Sequence, residues 1–163
     1  KKINKFMYFG RLAVEKEKSI IAAIDFFKDY KEIINENATL KIVGDGALLE
    51  SLKEKYESEY IKEIVNKQLS ELNYEITINP SVVSVTINNE NETLKEEIEQ
   101  QIEGEDFIKT RTDMAQWSGE VKEKVKKKYK EDITVYYYYS VGDYLYINSH
   151  DGFVTTTYLD YCR

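Results

Sequence analysis

The chain has 163 residues, of which 42% are hydrophobic and 33% charged, and its net charge is −7. This composition is typical of a folded chain rather than a disordered one. One cysteine and one histidine exclude an internal disulfide framework and a zinc site built from cysteine and histidine alone. The acidic balance argues against simple wrapping of nucleic acid phosphates, and the apolar runs of about five residues are far shorter than the ~20 of a membrane span.

The first third of the chain predicts alternating strands and helices. The predicted elements are strand 5–9, helix 17–33, strand 39–43 and a helix that begins near Ala47. Short apolar runs that end at Gly10 and Gly44 indicate the strands, and apolar residues at three- and four-residue spacing indicate the helices. The last helix either continues to Leu72 or breaks and restarts. This order favours two parallel strands joined by a right-handed crossover.

The remaining two thirds follow a different design. Alternating residues 73–79 and 82–88 predict a hairpin, and Thr93-Leu94-Lys95-Glu96 reads as a capping box whose helix ends at Gly104. A further helix is expected over 113–129, with a restart possible at Ser118-Gly119. Three strands, 133–139, 144–148 and 153–160, then predict an antiparallel meander. Their turns are Val141-Gly142-Asp143 and His150-Asp151-Gly152.

The net charge of the chain changes near the point where the predicted order of strands and helices changes. Residues 1–62 hold 12 bases and 11 acids, a net of +1, whereas residues 63–163 hold 11 bases and 19 acids, a net of −8. We therefore predict two parts, 1–65 and 66–163, with the boundary between residues 62 and 73. The expected fold class is an α/β Rossmann-like βαβα unit followed by an α+β unit with a mostly antiparallel sheet.

The loops after the two N-terminal strands carry residues suited to a diphosphate. Glycine at the carboxyl end of a strand lets the backbone approach a ligand closely, and open α/β sheets bind ligands at that edge. Gly10 and the Gly44-Asp45-Gly46 loop are such positions. Arg11 and Lys16 lie on the loop and first turn that follow Gly10, and two cations beside a helix N-terminus suit a diphosphate. The alternative is that both are solvated surface charges.

Two motifs of the first third occur in this chain at the ends of its predicted strands. The first is Phe9-Gly10-Arg11-Leu12 with Glu15-Lys16, and the second is Leu40-Lys41-Ile42-Val43-Gly44-Asp45-Gly46. Together they resemble the donor-binding domain of retaining GT-B glycosyltransferases of family 4. The resemblance covers about residues 6–57. It implies that Arg11 and Lys16 contact the diphosphate of a nucleotide sugar and stabilise the leaving group. On this resemblance, Gly44-Asp45-Gly46 would shape the neighbouring loop.

The resemblance ends before the family's Glu-x7-Glu motif. Pro80-Ser81 is followed by Val82-Val83-Ser84-Val85 instead of the family's Glu-Gly, and the acceptor-binding domain is absent. Retaining transfer needs the cleft between two domains, so we expect an element that binds a nucleotide sugar but is incomplete for catalysis, and whose partner is a missing glycosyltransferase half. Whether the chain is an enzyme is left open, with no catalytic or metal-binding residue assigned.

Two features of the second part indicate an alternative function. Residues 90–106 hold eight acids against Lys95 alone, and we take Glu92, Glu96, Glu97, Glu99 and Glu103 as candidates for binding a basic partner. Four successive tyrosines, 136–139, must face both sides of a strand, so Tyr136 and Tyr138 are candidate interface anchors. Both features also have a simpler explanation, a solvated helix face for the acids and edge or core packing for the tyrosines.

Two further groups have simple structural readings. His150-Asp151 fits a turn better than a catalytic pair. The lysines of 122–130 either face solvent, pair with the acidic segment or bind a polyanion.

The alternative function is therefore a non-catalytic acidic interaction protein, such as a phage-encoded, anti-CRISPR-like inhibitor of a host nucleic-acid enzyme. Lysine outnumbers arginine 20 to 3, a bias that favours an AT-rich bacterial or phage genome. The single thiol, Cys162, is consistent with a reducing cytoplasm.

Overall fold

The computed structural model describes residues 2–88, 90–141 and 144–161, and only the backbone of Tyr161. Two units, Lys1–Tyr56 and Glu57–Arg163, are distinguished by their internal contacts, and the division falls inside one helix, upstream of the predicted 65/66 boundary. None of the helices in the described ranges combines the length and the apolar content that a membrane span requires.

Unit 1, Lys1–Tyr56, contains two parallel strands joined by a helix. Its elements are β1 (Lys5–Phe9), α1 (Glu17–Ile33), β2 (Thr39–Val43) and the start of α2 (Leu49–Leu69). Lys5 pairs with Thr39 and Phe9 with Val43, which confirms the predicted parallel pairing. Helix α2 is uninterrupted and ends at Leu69, so the chain does not break and restart there.

Helices α1 and α2 and the loops before them supply the small core of unit 1 on one face of the β1–β2 sheet. Its buried residues are Leu12, Ile20, Ile24, Leu48 and Leu52, against which Tyr8 and Leu40 pack. The Phe6 ring lies edge-on to three aromatic rings of α1, with centroid distances of 4.8–6.4 Å. The apolar residues that recur at three- and four-residue spacing in α1 therefore cover the sheet face that bears Phe6 and Tyr8.

Unit 2, Glu57–Arg163, is built on a five-stranded sheet. Its strands are β3 (Tyr74–Asn79), β4 (Val82–Ile87), β5 (Thr134–Val141), β6 (Tyr144–His150) and β7 (Phe153–Thr157). They lie in sequence order, and every neighbouring pair is antiparallel except β4 and β5, which are parallel. The predicted hairpin and mostly antiparallel sheet are thus confirmed.

Two helices lie between β4 and β5, and three of their four ends differ from the prediction, whereas the second helix ends at Tyr129 as predicted. They are α3 (Glu92–Glu99) and α4 (Glu105–Tyr129). The predicted capping box is wrong, because Asn91 is the N-cap and its Oδ1 accepts a hydrogen bond from the Leu94 N–H at 3.0 Å. Gly104 does not end α3 but precedes α4 as its N-cap.

Helix α4 is longer than predicted and runs through Ser118-Gly119 without a break. At this point it passes close to the turn between β6 and β7. A Cβ on Gly119 would lie 3.0 Å from the Cα of Gly152, and Ser118 Oγ accepts a hydrogen bond from the Gly152 N–H at 3.1 Å. The glycine in this helix therefore allows the backbones to approach, and does not mark a helix end.

The last predicted strand is too long. Strand β7 ends at Thr157, and the short helix α5 (Tyr158–Tyr161) follows. The Asp160 carboxylate accepts a hydrogen bond from the Thr157 N–H at 2.7 Å, which caps this turn. Of the turn predicted at 141–143, Gly142 and Asp143 lie outside the described residues, as does Cys162.

The core of unit 2 lies between one face of its sheet and the helices. Fully buried side chains include Val85, Tyr137 and Ile147 from the sheet and Leu94, Phe107, Met114 and Val121 from α3 and α4. Alternate residues of a strand point to opposite faces. Tyr137 and Tyr139 therefore face the helices, whereas Tyr136 and Tyr138 lie on the opposite face.

Candidate functional site

The loops after β1 and β2 lie side by side at the carboxyl ends of these parallel strands. The Gly10 N–H donates to the Val43 carbonyl at 3.1 Å, and the Leu12 N–H donates to the Asp45 carbonyl at 2.8 Å. The Leu48 N–H then donates to the Leu12 carbonyl at 3.1 Å. These bonds bring together the loop segments that carry five of the six predicted diphosphate-binding residues, Gly10, Arg11, Gly44, Asp45 and Gly46.

The glycines of this loop pair have different roles. A Cβ on Gly44 would lie 1.9 Å from the Gly10 carbonyl oxygen, and one on Gly46, whose φ is 141°, would lie 2.3 Å from the Leu12 carbonyl oxygen. Both are needed for the approach of the two backbones. A Cβ on Gly10 would meet only the Tyr8 side chain at 3.8 Å, an ordinary contact, so internal packing does not require glycine there.

Arg11 and Lys16 are exposed on the loop between β1 and α1. Neither forms an ion pair or side-chain hydrogen bond with another residue in the described part of the chain. Leu12, only 1% exposed, anchors the loop beside Arg11. Lys16 ends a 3-10 turn, Val14–Lys16, and no side chain caps the start of α1 after it. The N–H groups of Lys16 and Glu17 donate instead to the backbone carbonyls of Ala13 and Val14.

Carboxylates are also present around these cations. Glu15 and Glu17 flank Lys16, and Asp45 lies on the second loop; all three are exposed. The local charge is therefore mixed, and an anion would bind through specific contacts with Arg11, Lys16 and backbone amides rather than through a broad positive field.

The predicted acidic surface is only partly exposed. Glu92, Glu96 and Glu99 are exposed on α3, and Glu103 is exposed but lies 3.3 Å from Arg111 Nη1. Glu97 does not share this exposure: its carboxylate accepts hydrogen bonds from the N–H groups of Phe107 at 2.8 Å and Asp106 at 3.4 Å. It thereby caps the N-terminus of α4, where a carboxylate is stabilised by the helix dipole.

The two candidate tyrosines lie on the sheet face that α3 and α4 do not cover. The rings of Tyr136 and Tyr138 are parallel within 7° with centroids 5.9 Å apart, and the His150 ring lies 5.4 Å from Tyr136. Partial burial is the main reason that the pKa of Tyr138 is raised, and the neighbouring Tyr136 contributes to the same effect. Because the exposed carboxylates of α3 lie on the helix side of the sheet, the acids and the tyrosines do not form one surface.

The His150-Asp151 pair belongs to a turn. Asp151 has a φ of 53° and Gly152 a φ of 97°. Asp151 Oδ1 accepts a hydrogen bond from the Val135 N–H at 2.8 Å, and its Oδ2 lies 3.0 Å from Lys122 Nζ. Partial burial opposes ionisation, but the Val135 N–H and the Lys122 ammonium outweigh it and hold the pKa of Asp151 below its usual value. These contacts indicate that Asp151 fixes the turn against β5.

Two lysines of the basic stretch 122–130 form ion pairs with carboxylates outside the acidic segment 90–106. Lys122 pairs with Asp132 and Asp151, and Lys124 with Glu120 at 2.6 Å. Lys128 Nζ lies 3.9 Å from the centre of the Tyr60 ring, a cation–π contact. These lysines contribute to the surface of unit 2 through local contacts.

Sequence reasoning did not identify the partly buried polar network between α2, α4 and β5. The Tyr137 hydroxyl donates to Gln68 Oε1, and Gln68 Nε2 donates to Glu120 Oε2 at 2.9 Å. The sequence indicated only that some of the four tyrosines 136–139 had to face the core, because alternate residues of a strand point to opposite faces. No group of three or more His, Cys, Asp or Glu side chains that could hold a metal ion occurs in residues 2–88, 90–141 and 144–161.

Neither a protein-family model, nor a curated protein, nor a solved structure matches this chain.

Proposed function

We propose that unit 1 binds the diphosphate group of a nucleotide sugar through the loop between β1 and α1. The observation that carries the proposal is the position of Arg11 and Lys16, two exposed cations without an internal partner in the described chain, at the carboxyl edge of parallel strands. Ligands of open α/β sheets bind at this edge.

Gly10 supports the same proposal. Gly44 and Gly46 are explained by the packing of one loop on the other, but a side chain at Gly10 would find room. A glycine that packing does not require leaves the backbone open to close approach by a phosphate. On this proposal, unit 1 is a Rossmann-like element related to the donor-binding domain of family 4 glycosyltransferases. It binds the donor, and transfer needs an acceptor-binding half.

The test is calorimetric titration with uridine, cytidine and guanosine diphosphates and their sugar conjugates. We expect saturable binding of one nucleotide and a rise in the melting temperature, since ligand at 100 times its dissociation constant adds about 2.7 kcal/mol of stability. Arg11→Ala should weaken binding by about 10-fold or more, because a charge-assisted hydrogen bond contributes roughly 1.5–3 kcal/mol.

The matched control is Lys31→Ala, which removes an exposed cation from the other end of α1. It should leave the dissociation constant unchanged. Equal losses in Arg11→Ala and Lys31→Ala would show a nonspecific charge effect, and no binding at millimolar nucleotide would refute the proposal.

A second candidate function rests on Glu92, Glu96 and Glu99, whose carboxylates are exposed on α3 and have no basic partner among the described residues. We propose that this row docks in the basic nucleic-acid groove of a bacterial nuclease and excludes its substrate. The proposed surface consists of these acids with Glu103; it leaves out Glu97, which is buried, and Tyr136 and Tyr138, which lie on the opposite face of the sheet.

Inhibition of DNA cleavage by an RNA-guided bacterial nuclease would test this candidate. We expect inhibition that weakens with salt and falls by about 10-fold or more in Glu96→Lys/Glu99→Lys, since juxtaposed like charges cost several kcal/mol. Glu32→Lys/Glu36→Lys, an equal charge change at exposed sites of unit 1, is the control. The candidate fails if both double variants inhibit as well as the unsubstituted chain.

A further inference from the structure

The β1–β2 sheet of unit 1 has one face that neither of its helices covers. On the covered face, Tyr8 and Leu40 pack against the buried residues of α1 and α2. Strand residues alternate between faces, and Met7 pairs with Lys41 and Phe9 with Val43. The second face therefore bears Lys5, Met7 and Phe9 of β1 with Thr39, Lys41 and Val43 of β2.

This second face bears two apolar side chains of β1, Met7 and Phe9, that are open to solvent. Met7 is 66% exposed and Phe9 is 80% exposed. Parallel sheets occur almost only with both faces covered, because their strands are apolar on both sides. Contiguous exposed apolar patches that polar residues border often mark interaction surfaces. The exposed apolar residues of β1 thus indicate that this face packs against another element.

The charges on this face indicate what kind of element fits. Lys5 and Lys41 are exposed on the same face as Met7 and Phe9, and neither has an ion-pair partner in the described part of the chain. A second copy of the chain would add two more lysines and no carboxylate to this interface, which would leave the lysine charges without partners. A helix with an apolar stripe would cover Met7 and Phe9 as helices cover parallel sheets elsewhere. Carboxylates beside that stripe would pair with the two lysines.

We propose that the bare face of the β1–β2 sheet is a docking surface for an amphipathic helix of a partner protein, with an apolar stripe flanked by carboxylates. The surface lies on the face of the sheet, whereas the proposed diphosphate site lies at its carboxyl edge. The proposal therefore does not depend on nucleotide binding.

Fluorescence anisotropy with two designed peptides tests the proposal. Both are helical peptides of about 18 residues, or five turns, with leucines at i, i+3, i+4 and i+7. One carries glutamates beside the leucine stripe and the other carries lysines. We expect the Leu/Glu peptide to bind saturably and more tightly than the Leu/Lys peptide, and Met7→Ser to weaken both.

Charge reversal gives the sharper result. In Lys5→Glu/Lys41→Glu, the Leu/Glu peptide should bind about 10-fold more weakly and the preference should pass to the Leu/Lys peptide. Lys18→Glu/Lys31→Glu makes the same charge change on α1, which covers the other face, and should keep the original preference. All these variants change exposed side chains, and circular dichroism verifies that each is folded.

Three outcomes would overturn the proposal. The first is equal binding of both peptides, or equal responses of the two double variants, which would show nonspecific adhesion. The second is no binding of either peptide to the unsubstituted chain. The third is a dimer in sedimentation that Met7→Ser dissociates, which would show that a second copy covers this face.

Discussion

Gly44→Ala is expected to separate the two loops of unit 1, whereas Gly10→Ala in the same loop pair is expected to leave them together. The new Cβ at position 44 would lie 1.9 Å from the Gly10 carbonyl oxygen and 3.0 Å from its carbon. A backbone atom cannot move aside as a flexible side chain can. We expect unit 1 to lose at least ~3 kcal/mol of stability, the upper range for overpacking.

Hydrogen exchange measures this effect locally. The Gly10 and Leu12 amides donate across the loop pair to Val43 and Asp45, so their protection reports its opening free energy. A loss of ~3 kcal/mol corresponds to exchange more than about 100-fold faster. In Gly10→Ala the added methyl meets only the Tyr8 ring at 3.8 Å, so Leu12 should keep its protection.

Gly46→Ala provides an independent variant. Gly46 has a φ of 141°, which residues with a side chain rarely adopt, and the Cβ added by alanine would lie 2.3 Å from the Leu12 carbonyl oxygen. It should therefore resemble Gly44→Ala. Unchanged exchange in both variants would show that the loop pair does not depend on its glycines.

The same loops show what the sequence could predict. Apolar periodicity placed α1 at residues 17–33 and β1 and β2 at 5–9 and 39–43, as the structure has them. Those patterns are local, because each element must bury one side of its own chain. The glycines at the strand ends were predicted to face a ligand, but two of them serve the packing of one loop on another. That distinction needs the three-dimensional distance between loops.

Glu97 shows the limit of reading charge from sequence. It stands among eight acids in residues 90–106, a pattern typical of a solvated helix. In the fold, α3 ends early and α4 begins at Glu105, which places the Glu97 carboxylate against the free amides of Asp106 and Phe107. An acid that caps a second helix cannot be distinguished by sequence pattern from one that faces water.

The parallel pairing of β4 with β5 and the bare face of the β1–β2 sheet were also not predicted. Register and neighbour choice depend on tertiary contacts between distant segments, such as Val83 with Val135. The composition of β1, Lys-Phe-Met-Tyr-Phe, indicates a buried strand. Met7 and Phe9 are exposed because neither helix of unit 1 covers their face, although the sequence of β1 is typical of a strand covered on both sides.

The stability of unit 2 is expected to fall as pH rises above 10, and Tyr137→Phe should reduce this fall. Burial raises the pKa of Tyr137 well above its ordinary value of 10, and the nearby negative charge of Glu120 adds a smaller increase. Burial likewise raises the pKa of Tyr139 to about 12. The unfolded chain releases these protons near pH 10, while the folded chain retains them.

The sign follows from proton binding. A tyrosine with a raised folded-state pKa contributes its full stability below pH 10 and loses it as pH rises toward the folded pKa, because the unfolded state then binds fewer protons. For Tyr137, which is fully buried, the loss approaches about 1.4 kcal/mol per pH unit, or about 2 kcal/mol between pH 10 and 12. At pH 8, Tyr137→Phe should cost about 1 kcal/mol, since Gln68 Oε1 loses its donor.

Urea unfolding between pH 8 and 12, followed by tryptophan fluorescence, measures this dependence in unit 2. Trp117 is the single tryptophan, and its ring centre lies 6.4 Å from that of Tyr137. Tyr144→Phe is the matched control, because Tyr144 is 71% exposed and its replacement leaves the Tyr137–Gln68–Glu120 network intact. If Tyr137→Phe and Tyr144→Phe showed the same alkaline slope as the unsubstituted chain, burial of the Tyr137 hydroxyl would not control the stability of unit 2 at high pH.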